Sequence, residues 1–330
     1  MTRNNKKSGF LDGSVEDQPA LAATVMVGSL FLLGFQDALV KLISSEVSLW
    51  QFQLLRAGIN LCMLLTLMHL VWGTRADPRP RRLFPVALRS LFLVCAICLF
   101  FGGIPFLSLA EIAAGLYVFP LFVALLSAVV LGEKVGPGRI VAILAGFTGT
   151  LLILKPGSDA FKFVGLMPIG AALCYAATIL TTRRLCRGES PVTLAIGVSV
   201  GFILVGGVMT LVLSIRMPVT AADYWPYLFT GWHPLDWWVL GLITVCAAIN
   251  MASNIGLAKA YQSAEASWLA PFDYSYLIFA TFWGYVFWNT VPDILTFLGM
   301  ALIACAGATV AWRDRKEHRS KRANFNRSLR

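Results

Sequence analysis

The chain has 330 residues, of which 58% are hydrophobic and only 13% are charged. Soluble domains carry about 25% charged residues, so this composition excludes a water-soluble globular fold. The formal net charge is +10, which suits either a nucleic-acid partner or the basic loops of a membrane protein. Apolar runs that could each cross a hydrocarbon core of about 30 Å recur along almost the whole chain.

These apolar runs predict an all-α membrane protein with ten transmembrane helices. Lipid offers no hydrogen-bond partners to backbone amides, so only helices or closed barrels can span it. Barrel strands alternate apolar and polar residues, and the stretch from Leu116 to Leu131 shows no such alternation. The predicted spans are 20–43, 50–73, 84–106, 109–131, 137–154, 163–182, 192–213, 237–258, 264–288 and 294–312.

The distribution of basic residues predicts how these spans are oriented. Of the 27 Lys and Arg residues, Lys155, Lys162 and Arg216 lie in loops on one side, whereas the tails and the other loops hold nearly all the rest. Cytoplasmic loops carry such an excess. We therefore predict a multi-pass protein of the cell inner membrane with both termini cytoplasmic, in tails at 1–19 and 313–330. Because a polybasic tail beside a last helix usually meets anionic lipid, no nucleic-acid partner is expected.

A short internal repeat divides the chain into two halves. Residues 109–122 align with residues 260–273 at a constant offset of 151, and small residues, an aromatic residue and a proline coincide. The coinciding pairs are Ala113 with Ala264, Gly115 with Ala266, Tyr117 with Trp268, and Pro120 with Pro271. The halves 20–155 and 156–312 hold five spans each, so the second enters the membrane from the opposite side. This pattern predicts two inverted five-helix repeats, which are typical of alternating-access carriers.

Three longer stretches resemble the EamA-like members of the drug/metabolite transporter superfamily. They are residues 36–58, 108–139 and 270–308. With these stretches the resemblance extends over nearly all of residues 20–313. Its strongest element is the sequence LGEKV, in which Gly132 and Glu133 fall where the family's Gly-Glu ends the fourth helix. The second half departs from this pattern, since Trp288 and Asn289 stand at the corresponding place, so no role is carried over there.

Ionisable, aromatic and proline residues within the spans are the candidate binding or gating residues. A charge at the centre of a transmembrane helix costs roughly 2.5–3.5 kcal/mol on insertion scales, so each is a functional candidate. Aromatic rings suit a flat, partly polar solute, and a proline within a helix frees carbonyls that could face a cavity. The candidates are Asp37, Lys41, Arg56, Glu111, Tyr117, Pro120, Glu265, Trp268, Pro271, Phe272, Asp273 and Tyr276.

The positions of these candidates predict an outer and an inner gate around a central site. The acidic and basic candidates of the first half lie toward the periplasmic side, and Glu265, together with Arg183 and Lys259, lies toward the cytoplasmic side. Asp273 stands alone near the middle of the ninth helix, where it is a candidate proton carrier. Trp268, Phe272 and Tyr276 follow at i, i+4 and i+8 and predict one aromatic helix face. Snorkelling to headgroups, helix packing or an interfacial aromatic belt are the alternative roles.

The resemblance implies a secondary transporter of a small organic metabolite. The lysine-bearing first helix and the A-P-F-x-Y motif of the ninth resemble riboflavin or S-adenosylmethionine carriers of the family, and riboflavin uptake is favoured. Export of amino acids or related metabolites is the main alternative. No P-loop pattern appears, and dispersed acids disfavour a membrane-embedded enzyme. Small-molecule substrate and lipid are the expected partners, without metal or cofactor, and the oligomeric state stays open.

Overall fold

A computed structural model describes residues 19–72, 79–132, 137–155, 163–215, 219–264 and 266–309, and in these ranges every regular element is helical. In the first half the helices are α1 (Pro19–Ile43), α2 (Leu49–Leu67), α3 (Leu83–Gly102), α4 (Leu109–Leu116), α5 (Phe119–Leu131) and α6 (Pro137–Leu154). In the second half they are α7 (Leu166–Leu185), α8 (Pro191–Ile215), α9 (Val219–Tyr224), α10 (Pro226–Phe229), α11 (Trp237–Ser263), α12 (Ala266–Asp273), α13 (Ser275–Trp288) and α14 (Ile294–Thr309).

Seven helical stretches in the described part of the chain are long and apolar enough to cross a membrane. Two shorter apolar helices, Ile140–Leu154 and Ile294–Thr309, and the pair α12 and α13 occupy the places of the three other predicted spans. The predicted all-helical membrane fold is therefore confirmed. The count of ten spans and the inverted relation of the two halves stay predictions.

Two of the predicted spans are interrupted near their middle, at places marked by proline. The helix α4 ends at Leu116 because Pro120, four residues later, has no N–H to donate to the Leu116 carbonyl. Pro120 then lies in the first turn of α5, where a missing N–H does no harm. In the second half α12 ends at Asp273 and α13 begins at Ser275, with Pro271 inside α12. These two predicted spans, 109–131 and 264–288, are therefore each built from two helices.

The first helix buries one of its faces against elements of the second half. It packs against α11, α12 and α13, and Met26, Leu30 and Ala38 on it are buried. The other main helix contacts pair α3 with α7 and α2 with α8. Polar residues on the buried face of α1 are therefore positioned to meet side chains from distant parts of the sequence.

Glycines allow α6 and α14 to touch backbone to backbone. A Cβ atom added to Gly149 would lie 2.8 Å from the Gly299 carbonyl oxygen, and one added to Gly299 would lie 2.6 Å from the Gly149 carbonyl oxygen. One turn earlier, Gly146 leaves room for the Leu121 side chain of α5. Small residues support such close helix contacts in membranes, where water drives no association between helices.

The segment between α8 and α11 covers the start of α2. The Trp50 indole nitrogen donates to the Leu228 carbonyl at 2.7 Å. The Gln51 carboxamide accepts from the His233 amide at 3.0 Å and donates to the His233 carbonyl at 2.8 Å. These long-range bonds hold the short helix α10 above the polar residues farther along α2.

Candidate functional site

Buried polar side chains from α1, α2 and α10 form a cluster between the helices. Gln36 and Asp37 are neighbours on α1, and Gln53 and Arg56 share one face of α2 because of their i, i+3 spacing. Tyr227 enters from α10. Each of the five is at most 5% exposed. We call these five residues the polar cluster.

The Arg56 guanidinium lies among aromatic rings within the polar cluster. Its central carbon is 5.0 Å from the ring centroid of Phe101, 5.3 Å from that of Phe52 and 5.7 Å from that of Phe202. Such contacts stabilise a desolvated cation through the ring quadrupoles. In the described ranges no carboxylate lies within ion-pair distance of Arg56, although Asp37 acts on it electrostatically. The rings therefore supply part of the stabilisation that an ion pair would otherwise provide.

Three residues at the polar cluster carry no clear signal in the sequence. Tyr227 lies on α10, outside every predicted span. Cys98 of α3 and Cys246 of α11 stand in apolar helices, where cysteine usually packs as a small hydrophobic residue. All three side chains lie within electrostatic range of Arg56. Helical periodicity could not identify them, because their neighbours come from other elements.

Asp37 connects the polar cluster to a group of tyrosines. The Tyr276 hydroxyl of α13 donates a hydrogen bond to the Asp37 carboxylate, and Gln36 Nε2 donates to it at 3.3 Å. The Tyr276 ring stacks on the Tyr117 ring, with centroids 5.2 Å apart and planes inclined by 13°. Tyr117 is the C-cap residue of α4. The stacked pair therefore lies where the two interrupted spans meet.

A second carboxylate, that of Asp273, lies among these tyrosines. Asp273 ends α12, and its carboxylate lies within electrostatic range of the Tyr117 side chain. The Tyr274 ring meets the Tyr117 ring edge to face at 5.5 Å, and Tyr175 and Tyr261 lie within electrostatic range of the Asp273 carboxylate. The predicted lone acid therefore has several hydroxyl-bearing neighbours. We call Tyr117, Tyr175, Tyr261, Tyr274 and Tyr276 the tyrosine cluster.

Several buried polar atoms of the polar cluster lack a hydrogen-bond partner among the described residues. They are Gln36 Oε1, both carboxamide atoms of Gln53 and the Tyr227 hydroxyl. The Cys98 thiol lies beside Gln53, but sulfur is a weak hydrogen-bonding group. A buried donor or acceptor without a partner costs about 1–3 kcal/mol. Water or a polar solute of matching chemistry would satisfy these atoms.

Lys41 and Glu111, two of the predicted gating residues, form contacts at helix ends. The Lys41 ammonium donates to the Leu107 carbonyl and lies 5.3 Å from the ring centroid of Trp288. The Glu111 carboxylate accepts from both the amide and the hydroxyl of Ser108 at 2.8 Å, which closes a capping box at the start of α4. Neither side chain belongs to the polar cluster.

The predicted aromatic face of the ninth span is divided by the helix break. Phe272 is half-buried on α12, whereas Tyr276 is buried on α13, and the turn at Tyr274 changes the helical register between them. Glu265 and the Trp268 side chain lie outside the described residues. In the part of the chain that is described, no group of three His, Cys, Asp or Glu side chains could hold a metal ion.

The half that carries Asp37, Arg56 and Tyr117 matches a known family. Residues 20–155 fit the model of the EamA-like transporter family. The first half of the chain is therefore similar to this family. The resemblance seen in the sequence is confirmed, and it agrees with the apolar helices of the fold.

Relatives of this EamA-like chain carry names with different substrates. A riboflavin transporter from Vibrio cholerae is 29% identical over 61% of this chain and 62% of its own length. The chain thus spans about three fifths of the length of the riboflavin transporters that it matches. The pseudopaline exporter CntI from Pseudomonas aeruginosa is 26% identical over 84% of this chain and 90% of its own length. An S-adenosylmethionine uptake transporter from Rickettsia bellii is 23% identical over 87% of this chain and 92% of its own length.

A solved structure shares the architecture of the chain. It is described as the crystal structure of a protein, is 17% identical, covers 89% of this chain and 98% of its own, and superposes with a TM-score of 0.51. At this identity the likeness concerns the fold alone.

Proposed function

We propose that this EamA-like chain is a secondary transporter that moves a planar heteroaromatic metabolite, riboflavin in the first instance, into the cell across the inner membrane. The observation that carries the proposal is the stacked pair of Tyr117 and Tyr276. The Tyr276 hydroxyl donates to the Asp37 carboxylate, and Tyr117 lies within electrostatic range of the Asp273 carboxylate. A flat ring that stacks on either tyrosine gains about 0.5–1.5 kcal/mol beyond burial of its surface. The polar cluster, one hydrogen bond away, is available to bind the polar edge of that ring.

The location of the stacked pair supports a role in alternating access. Many secondary carriers bind substrate near the bilayer midplane, where transmembrane helices are interrupted. Tyr117 lies at the break between α4 and α5, and Tyr274 at the break between α12 and α13, with their ring centroids 5.5 Å apart. A change in the angle at either break would alter the separation of the rings and so open or close the space between them.

Similarity supports riboflavin over other flat solutes. The relatives from Vibrio cholerae and Rhizobium johnstonii that are named riboflavin transporters are each 29% identical to this chain. Riboflavin combines an extended aromatic ring system with several carbonyl and N–H groups, which matches aromatic surface beside buried polar groups.

Growth of a riboflavin auxotroph on low external riboflavin tests the proposal. Cells that express the chain should grow at a riboflavin concentration that does not support cells with the empty vector. The variant Tyr117→Leu should need more riboflavin, whereas Tyr285→Leu, which changes a tyrosine that is 54% exposed on α13, should behave like the wild type. No rescue by a well-expressed wild-type chain would overturn the flavin assignment.

An amino-acid-like metabolite is the second candidate. The opposite charges of Arg56 and Asp37 would suit an α-carboxylate and an α-ammonium group, and the relatives named for pseudopaline and S-adenosylmethionine cover more of this chain than the riboflavin transporters do. Counterflow in proteoliposomes separates the two. Exchange of labelled S-adenosylmethionine or amino acids, with no exchange of riboflavin, would favour this candidate.

The orientation belongs to the same proposal, with both termini cytoplasmic. Reporter fusions after residues 78, 136, 188 and 325 should report cytoplasm, and fusions after residues 158 and 225 should report periplasm, because basic residues mark the cytoplasmic loops. Two or more inverted results would contradict ten spans in this orientation.

A further inference from the structure

The unpartnered atoms of the polar cluster define the ligand chemistry that would satisfy them. Among the described residues, the amide nitrogen and oxygen of Gln53 have no nitrogen or oxygen partner, and Gln36 has a further unpartnered acceptor, Oε1. The Tyr227 hydroxyl is unpartnered among the described residues, and the Arg56 guanidinium carries several donors. A ligand for this cluster must therefore present acceptors and at least one N–H donor side by side.

Charge in the cluster favours a neutral ligand. The cluster holds one buried group of each charge sign, Arg56 and Asp37, and the two act on each other electrostatically. Asp37 already accepts hydrogen bonds from Tyr276 and Gln36, and a ligand ammonium group would have to replace them. A free anion or cation would leave one buried charge uncompensated, which is costly. A neutral group with alternating donors and acceptors avoids this cost.

We infer that the polar cluster recognises the imide edge of the transported ring, a C=O, N–H, C=O sequence, with Gln53 as the specificity-determining residue. The inference rests on the proposed function, since riboflavin carries such an edge at its N3–H. The Gln53 carboxamide accepts from the imide N–H and donates to a neighbouring carbonyl, the two-bond pairing that amides form with imides. Arg56 and Tyr227 donate to the remaining acceptors, and the ring surface reaches toward the stacked Tyr276.

The test removes the N–H from the ligand and the carboxamide from the protein, separately and together. Quenching of flavin fluorescence by the purified full chain in lipid nanodiscs gives the affinities for riboflavin and for 3-methylriboflavin, in which N3 carries a methyl group. The protein variant is Gln53→Met, which keeps the length of the side chain and lacks hydrogen-bonding groups. The matched control is Gln262→Met, at an exposed glutamine of α11.

The wild type should bind 3-methylriboflavin about tenfold more weakly than riboflavin, because methylation removes a donor and leaves the Gln53 acceptor unpaired. In Gln53→Met the two affinities should become nearly equal, and in Gln262→Met the tenfold preference should persist. The variant Gln53→Asn, which withdraws the amide by one methylene, should show a reduced preference and serves if Gln53→Met does not fold.

Two results would overturn the inference while leaving the proposed function in place. One is equal binding of riboflavin and its 3-methyl analogue by the wild type, and the other is an undiminished preference in both Gln53 variants. No riboflavin binding by folded wild-type protein would instead overturn the proposed function, and the inference with it. The preference is measured within one protein at a time, so a lower yield of a variant does not affect it.

Discussion

The polar cluster and the ion pair of Lys155 with Asp293 hold charge in two different ways. Arg56 is 5% exposed and lies against aromatic rings. In the described ranges it forms no ion pair with a carboxylate. Asp293 has a side chain that is 48% exposed, and its carboxylate lies 2.7 Å from the Lys155 ammonium. Lys155 and Asp293 pair with each other and are accessible to solvent. The polar cluster, in contrast, has buried atoms that lack a hydrogen-bond partner among the described residues. The proposed binding role therefore rests on burial without partners rather than on charge as such.

Replacement of Arg56 should reduce riboflavin uptake more than any other change proposed here. A small reduction would contradict the contrast between the buried polar cluster and the exposed ion pair. The variant Arg56→Met removes the charged donor proposed to bind the ring, and a hydrogen bond to a charged group is worth about 1.5–3 kcal/mol. Riboflavin uptake per folded protein should therefore fall roughly 10- to 150-fold. Uptake into proteoliposomes, normalised to protein that elutes as a single species, measures this. The double variant Arg56→Met with Asp37→Asn should be more abundant than the single variant, and a less abundant double variant would contradict the coupling of the two charges.

Replacement of Asp273 separates substrate binding from the coupling of transport to protons. Asn keeps an acceptor beside the Tyr117 side chain but cannot carry a proton. In Asp273→Asn, accumulation of substrate driven by an imposed proton gradient should disappear, while equilibrium binding and membrane abundance stay near those of the wild type. Accumulation that keeps its rate and its dependence on the gradient would show that this carboxylate does not couple transport to protons.

Changes at Tyr117 should have a moderate effect on binding. Tyr117→Leu removes the stacked ring and should weaken riboflavin binding roughly 2- to 13-fold, the equivalent of 0.5–1.5 kcal/mol. Tyr117→Phe keeps the ring and should bind riboflavin more tightly than Tyr117→Leu. Flavin fluorescence titration compares the two, and equal affinities would place the Tyr117 ring outside the binding site.

Removal of the exposed ion pair should have the smallest effect. Hydrogen bonds from Lys155 and Thr296 hold the pKa of Asp293 at about 2, below its ordinary 3.8. Because the pKa of Asp293 is lowered, its contribution to stability is complete above pH 3.8 and is lost as the pH falls through about 2. This contribution should therefore not vary with pH near neutrality. Because Asp293 is about half-exposed and screened by salt, Asp293→Asn should change stability by about 0.5 kcal/mol or less at pH 7.

A matched variant separates this ion pair from the helix cap that Asp293 also provides. The Thr296 amide and hydroxyl both donate to Asp293 Oδ1, at 3.4 Å and 2.5 Å, so the residue caps the start of α14. Asn is as good a cap as Asp, whereas Asp293→Ala removes the cap and should cost about 0.5–2 kcal/mol. Thermal unfolding in detergent compares the two variants, and a larger loss for Asp293→Asn would mean that the ion pair matters more than its exposure indicates.

Local sequence features predicted most of the helices correctly. Runs of apolar residues identify spans because the hydrocarbon core sets their length. The proline at position 120 indicates the break after Leu116, since a missing N–H acts on a carbonyl only four residues away. The sequence S-x-x-E from Ser108 to Glu111 likewise marks the start of α4. Each of these signals depends on neighbours within about one helical turn.

The composition of the polar cluster and of the tyrosine cluster was decided by tertiary structure. The bond from Tyr276 to Asp37 joins residues 239 positions apart, and Tyr227 reaches Arg56 from a short helix that no span prediction includes. The sequence by itself determined a helical membrane protein that resembles the EamA-like family, and it named Asp37, Arg56 and Tyr276 among its candidates. Which candidates meet, and which of their atoms remain without partners, follows only when helices from both halves pack together, because burial and hydrogen bonding depend on distances that local periodicity does not contain.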